Sequence, residues 1–325
     1  MREEALNRGA TDRLISVIVP AYNCAATIGE TLHSIRCQTH HNIEIIVVDD
    51  GSTDETYLSA AQHAAADPRV RVFRQPNGGV ASARNKAIRE SAADLIAPID
   101  ADDIWLPDKL ELQLSALDSF PNVGLVYTWF AKIDVQGRVI EIDNRHTAEG
   151  NVLAELCVRN IVGHASSPLI LRSAIERVGG YDETLRSRNA QGCEDNKLYL
   201  EIAEYYSFAV VRKCVVGYRE MPTGMSSNFH QMLRSRDLSV EGVLRRHPEL
   251  ADNLRRGRAQ MLKWLFLRSL RSKMYSSAGK LLAEMIRTSP RAATAYATNF
   301  FFKRLAGKVS SREDPLEGTK FYLPM

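Results

Sequence analysis

Leu95-Ile96-Ala97-Pro98-Ile99-Asp100-Ala101-Asp102-Asp103-Ile104-Trp105 decides how this chain is read. The stretch begins as an apolar run of strand length and ends in three carboxylates within four positions. Like charges this close repel, and they cannot all be desolvated cheaply. A hard divalent cation ligated by oxygen relieves that cost, and Mg²⁺ typically takes one or two carboxylates together with substrate phosphates. The alternative is a solvated acidic turn in which Asp103 or Asp108 caps the helix that follows.

Upstream, residues 14–19 and 43–48 are short β-branched runs that read as buried strands of a parallel sheet. The first closes on Pro20, the second on Asp49-Asp50-Gly51-Ser52. Thr27-Ile28-Gly29-Glu30 and Ser52-Thr53-Asp54-Glu55 have the form of capping boxes, so each predicts a helix start. Residues 70–73 read as a third strand. After the turn Pro76-Asn77-Gly78-Gly79, Val80, Ala83, Ala87 and Ile88 mark the inner face of a helix. Leu106, Leu110, Leu114 and Leu117 repeat at helical spacing around Pro107, which suits a first helical turn. Strands alternating with helices predict a doubly wound α/β sheet, in which ligands lie beyond the carboxyl ends of the strands. Pro20-Ala21-Tyr22, Asp49-Asp50 and residues 100–103 all stand at such ends.

From Val123 the pattern changes. Residues 124–130 read as a strand, Val135-Gln136-Gly137-Arg138 as a hairpin turn and Gly179-Gly180-Tyr181-Asp182 as another turn. Glu194-Asp195 stands before a helix-like run over 196–205, and beyond residue 230 the chain reads as helix after helix. A length of 325 residues allows one large α/β domain with an appendage, or two ordinary domains. The formal charge of +3 hides an asymmetry: residues 231–310 hold 17 Lys and Arg against 5 Asp and Glu, a local net of +12. Five widely spaced cysteines with no Cys-x-x-Cys pair argue against zinc and a disulfide framework and for reduced thiols in a cytosolic setting. The first 13 residues lack the apolar core of a signal peptide, and no stretch approaches the roughly 18 apolar residues of a membrane span. A cytoplasmic chain, soluble or peripheral at the inner face of the membrane, is the expectation.

Five motifs in order carry a resemblance: Val17-Ile18-Val19-Pro20-Ala21-Tyr22-Asn23, Val47-Val48-Asp49-Asp50-Gly51-Ser52-Thr53-Asp54, Gly79-Val80-Ala81-Ser82-Ala83-Arg84-Asn85, Asp100-Ala101-Asp102-Asp103 and Glu194-Asp195. Together they resemble glycosyltransferase family 2. The resemblance implies a GT-A fold, a Rossmann-like and mostly parallel sheet flanked by helices, over residues 14–222. Its nucleotide-binding half spans 14–120 and its acceptor-binding half 121–222. Residues 1–13 are then a loose N-terminus, and 223–325 a basic helical C-terminal region.

The resemblance also implies roles. Pro20, Ala21 and Tyr22 match the loop lying against the nucleoside, and Asp50 the acid that accepts from the base N3–H, which suits uracil. Arg84 matches the basic residue on the nucleotide side, and Asp100 with Ala101 the ribose contact. Asp102 matches the ligand of a divalent cation, Mn²⁺ or Mg²⁺, that bridges the phosphates. Asp195 stands where the family has its general base, with Glu194 supporting it. His164 and Trp105 are candidates for contact with acceptor or diphosphate, although Trp105 also suits the core. Asp49 reads as structural, because neighbouring side chains on a strand point to opposite faces. Tyr218-Arg219 could meet phosphate, with a satisfied surface arginine as the alternative.

The residue types fit the chemistry of displacing a nucleoside diphosphate from an anomeric carbon. A cation on the diphosphate stabilises the leaving charge, a carboxylate takes the proton of the attacking hydroxyl, and a single displacement inverts the centre. The donor is a nucleotide sugar, expected to be a UDP-sugar, and the acceptor a saccharide or lipid-linked saccharide, in polysaccharide assembly at the cell envelope. A nucleotidyltransferase or other phosphoryl-transfer enzyme would also gather aspartates around Mg²⁺, but no Walker-type loop or Gly-x-Gly-x-x-Gly is present. A non-catalytic nucleotide-sugar-binding protein should have lost Asp102 or Asp195, and both stand. The basic C-terminal stretches around residues 261–267 and 295–304 suit either packing on the catalytic core or peripheral contact with an anionic membrane. No nucleic-acid-binding module is recognised.

Overall fold

The nonpolar, β-branched sequences of β1 (Ile15–Ala21) and β2 (Ile43–Asp49) bury both faces, and almost every residue of the two is inaccessible. In this computed structural model, which describes residues 12–119, 121–143, 145–221, 228–288 and 317–321, they pair in parallel from Ile15 opposite Ile43 to Ala21 opposite Asp49. β3 (Val70–Arg74) flanks β2, and β4 (Leu95–Pro98) flanks β1, both parallel. The remaining strands are β5 (Ile104–Trp105), β6 (Val123–Ile133), β7 (Val139–Asp143), β8 (Leu169–Leu171) and β9 (Ser207–Arg219). The sheet runs β3-β2-β1-β4-β8-β6-β9-β5, with β7 hairpinned on β6. Antiparallel β8 inserts between β4 and β6, so the first half is parallel and the second mixed. The carboxyl ends of β1, β2, β4, β6 and β9 share one edge.

Helices α1 (Ile28–Arg36), α2 (Thr56–Ala66), α3 (Val80–Glu90) and α4 (Lys109–Leu117) clothe the first half. Their inner faces follow the expected apolar spacing, with Leu110, Leu114 and Leu117 buried on α4 and Ala83, Ala87 and Ile88 on α3. The capping boxes do not form. The Thr27 hydroxyl donates to the Ala101 carbonyl at 2.9 Å instead of capping α1, and Glu30 turns away to an arginine 189 positions later. α2 starts at Thr56, where Asp54 accepts from the Thr56 amide, while Ser52 accepts from the Asn23 amide. Both candidate capping hydroxyls tie loops together instead.

Short helices α5 (Leu153–Val158), α6 (Arg172–Arg177) and α7 (Thr184–Ser187) precede α8 (Glu194–Ala203) in the second half. The basic region then forms α9 (Phe229–Arg246), α10 (Ala251–Arg271) and α11 (Tyr275–Thr288). These helices pack on the core rather than standing free. Phe229, Met232 and Leu233 of α9, Leu262 and Leu265 of α10 and Leu281 and Met285 of α11 gather around Cys193, the residue before α8. Residues 1–11 and the stretch 295–304 lie outside the described residues. Among those described, no helix is long and apolar enough to cross a membrane.

Gly257 is what lets α10 approach α5. A Cβ there would overlap the Cys157 carbonyl oxygen and lie 2.9 Å from that of Val158, both of them backbone atoms. Gly257→Ala should therefore destabilise the chain, although alanine in a helix is worth about 1 kcal/mol over glycine. Urea unfolding reads this directly, and a variant at least as stable as the wild type would show that α10 does not pack here.

Candidate active site

The loops leaving β1 and β2 are laced together by their own polar groups. The Asp50 amide donates to the Ala21 carbonyl at 2.8 Å, and Asn23 accepts from the Thr53 amide at the same distance. Pro20 and Ala21 are buried in β1, and Tyr22 emerges from its end with about half of its surface exposed. Asp49 points inward, accepts from the Ser52 amide and pairs with Arg74 at 2.9 Å, so it is structural as expected. Asp50 points the other way. Its Oδ1 accepts from Gln75 and the Gly78 amide, its Oδ2 from the Gly79 amide, and it is 3% exposed. Most of its acceptor capacity therefore holds the Gly78-Gly79 turn, leaving one lone pair on Oδ2.

The acidic stretch splits its three carboxylates between two tasks. Asp103 is fully buried, accepting from the Ser166 hydroxyl at 2.5 Å and from the Arg219 amide at 2.9 Å. Burial, then Asp102 and Asp100, pushes its pKa well above the usual range. It is neither a helix cap nor solvated. Arg219 is buried too: its guanidinium binds the carbonyls of Asp102, Asp134 and Val135 and the carboxylate of Glu30. The expectation of a surface arginine, or one meeting phosphate, is corrected, because every arm of Arg219 is spent holding the loop. Asp108 pairs with Lys213 instead of capping α4. Pinned this way, the loop sets Asp102 beside Asp100, whose carboxylate meets Arg84. Asp102 is pushed up to about 6 by burial and by Asp100.

Trp105 lies wholly in the core, its indole N–H donating to the Ser166 carbonyl at 2.9 Å and its face covered by Lys109 Nζ. No surface of it is left for a sugar, which corrects the contact role and bears out the core alternative. Ala101 is buried, with its carbonyl taken by Thr27. His164 is nearly buried, wedged between Phe130 and Tyr218 with ring centroids 4.4 and 4.7 Å away, and its Nδ1 accepts from the Ser166 amide. It supports the acidic loop from beneath.

Arg84 and Asn85 join the two halves. Arg84 reaches Asp100 at 2.6 Å and stacks its guanidinium over Tyr181. Burial opposes its charge, but Asp100, Tyr181 and Asp195 outweigh burial and raise its pKa. Asn85 exchanges hydrogen bonds with the backbone of Tyr181 in both directions, at 2.8 and 2.9 Å. Arg186 of α7 closes over the Gly78-Gly79 turn and donates to the Asn77 carbonyl. Glu194 is buried and turned back onto the Gly192 amide. Asp195, at the head of α8, faces Arg84. Burial lifts it to about 6 against the pull of that arginine, with Glu194 and Asp100 adding to the rise. Arg84, Asp100 and Asp195 thus act on one another, with Asp102 next to Asp100. Sequence reasoning gave no role to Gln75, Ser166 or Arg186, and only the noted Gly-Gly-Tyr-Asp turn hinted at Tyr181.

The family model described as glycosyl transferase family 2 matches residues 16–179, and the chain belongs to that family. An uncharacterized glycosyltransferase of Rickettsia conorii is 32% identical over 214 residues, 66% of this chain and 33% of that protein. A chondroitin synthase of Escherichia coli is 39% identical over 127 residues, 39% of this chain and 18% of that one. The chain spans about a third or less of the length of these relatives. Among solved structures, S. aureus TarS 1–349 in complex with UDP-GlcNAc superposes with a TM-score of 0.63 at 16% identity, covering 86% of this chain and 83% of that one. A mannosyltransferase from Pyrobaculum calidifontis in complex with GDP-Man and Mn²⁺ gives 0.54 at 20% identity, covering 89% and 79%. These structures share the fold.

Asp195 offers a test through stability. Its pKa is raised in the folded state, so folding favours its proton, and the charged form costs stability as pH rises through about 6. A lift from 3.8 to about 6 is worth at most about 3 kcal/mol; losing a charge from a buried helix N-terminus costs about 2 kcal/mol at most. Asp195→Asn should therefore melt above the wild type at pH 8, with the gap closing below about pH 4. A variant that melts lower at pH 8 contradicts this environment.

Proposed function

We propose that the chain transfers a sugar from a nucleotide sugar, a UDP-sugar in the first instance, to a saccharide or lipid-linked saccharide with inversion at the anomeric carbon. What supports the reading is buried Arg84, which bonds Asp100 and feels the charge of the later Asp195, with Asp102 beside Asp100. In this reading Tyr22 lays its exposed ring on the base, and the free lone pair of Asp50 receives the base N3–H. Asp100 meets the ribose.

The donor set at Asp102 fits a hard divalent cation. Its carboxylate lies next to Asp100, and burial first, then Asp100, raises its pKa despite the pull of Arg219. Among the described residues no group of three or more His, Cys, Asp or Glu side chains could hold an ion alone. Oxygens of the donor diphosphate and water would complete the shell, as is usual for Mg²⁺. Bound there, Mn²⁺ or Mg²⁺ supplies Lewis-acid stabilisation of the leaving diphosphate. Asp195 takes the proton from the attacking hydroxyl, and with a value near 6 it is largely ionised at pH 7 while remaining basic enough to accept. Arg84 holds Asp100 in place and keeps Asp195 from rising further. One base on the face opposite the leaving group is what inversion requires. The exposed Trp264, Tyr275 and Ile286 among the arginines and lysines of α10 and α11 suit peripheral contact with an anionic membrane, where a lipid-linked acceptor and cell-envelope polysaccharide assembly would place the chain.

The test is release of UDP from a panel of UDP-sugars with Mn²⁺ and candidate acceptors. Asp102→Ala and Asp195→Ala should each lower the rate at least 100-fold, within the range expected for loss of a general base or a metal ligand. Nucleotide release untouched by both changes would remove the proposal.

A further inference from the structure

One cavity lies away from the cleft aspartates. About 460 Å³ lies between the loop carrying His146, Thr147 and Ala148, helix α5 and the start of α10. That size is within the range of small-ligand sites. The loop is fixed by the Tyr127 hydroxyl on the Ala148 carbonyl and the Trp129 indole on the His146 carbonyl, both 2.8 Å. The opposite wall is fixed by Asn253 of α10, which donates to the Ala154 carbonyl of α5 at 3.0 Å. The cavity is therefore bounded by braced elements.

Its lining is a mixture. Ala148, Ala154, Val158 and Ile161 supply an apolar floor, while Arg159 and Arg256 bring two guanidinium groups to it. Arg256 donates to the Asn253 side-chain oxygen Oδ1, and neither arginine has a carboxylate partner among the described residues. One carboxylate, Glu155, also lines the wall. An apolar floor ringed by amide, carboxylate and unneutralised guanidinium groups matches a sugar ring: its C–H face packs, its hydroxyls bond, and a negative substituent meets the arginines bidentately.

We infer that this cavity is a second site for an anionic saccharide, carrying carboxylate or phosphate, separate from the transfer crevice. None of the donor-side motif residues lines it. Helix α5 packs against α8, the helix headed by Asp195. A saccharide held there is anchored to the same half that is to receive the acceptor. The inference rests on the transferase reading only for the identity of that ligand as acceptor; binding itself does not require transfer.

Calorimetry on the full chain tests it with three probes: a glucuronate-containing tetrasaccharide, glucose 6-phosphate and a neutral N-acetylglucosamine tetrasaccharide. At least one anionic probe should bind ten-fold or more tightly than the neutral one, and which one does distinguishes carboxylate from phosphate. The Arg159→Glu/Arg256→Glu pair should weaken that binding at least ten-fold while leaving UDP affinity unchanged. Ala154→Trp, which fills the cavity without altering charge, should weaken it likewise and serves if the double variant fails to fold. Equal affinity for neutral and anionic probes, binding indifferent to the variants, or displacement of the probe by UDP would each overturn the inference. Loss of UDP binding by the wild type would instead strike the transferase reading and leave this one standing.

Discussion

Asp103 holds the acidic loop in place, and the arrangement of the cleft depends on it. A fully buried carboxyl receiving the Ser166 hydroxyl and the Arg219 amide fixes the backbone between β4 and β5 from below. Arg219 finishes the task by gripping the Asp102 carbonyl and reaching to Glu30 on α1. Removing one partner of such a buried charged network costs several kcal/mol, because the others are left unsatisfied. Asp102 stands beside Asp100, which opposes its charge, while their neighbour Asp103 is spent on structure.

The opposite wall is secured from two directions. Asn85 clasps the Tyr181 backbone, so the helix that positions Arg84 also sets the turn leading toward α8. Behind α8, Ser235 of α9 accepts from the Cys193 amide at 3.0 Å, and Met232 packs where any side chain at Gly192 would stand. The C-terminal helices therefore brace the segment that carries Asp195. This explains why part of the basic region is spent on packing: buried Arg236 donates to the Leu254 carbonyl and ties α9 to α10, while the arginines and lysines of the outer face remain in solvent.

The parallel first half was legible because its signals are local. Short β-branched runs, turn glycines and leucines at helical spacing each report on a few neighbouring residues, and the acids at strand ends follow from the topology. Sites that depend on distant partners were not legible. Thr27 and Ser52 sit in sequences that suit capping boxes, yet their hydroxyls found better partners across the loops at Ala101 and Asn23. Arg219 reads as an ordinary polar residue at a strand end until Asp102, Asp134 and Glu30 surround it. Trp105 reads as core or as a sugar platform beside acids, and the fold decides for the core, its indole bonded to the Ser166 carbonyl. The strand β8, three residues long and antiparallel, is too short to carry a period of its own.

A crystal structure of the chain with UDP and Mn²⁺ tests the central claim most directly. The expected result is the cation on Asp102 and both phosphates, uracil between Tyr22 and Asp50, and the Asp195 carboxylate across the gap from the β-phosphate. Nucleotide seated elsewhere, or a cation whose ligands exclude Asp102, would contradict it.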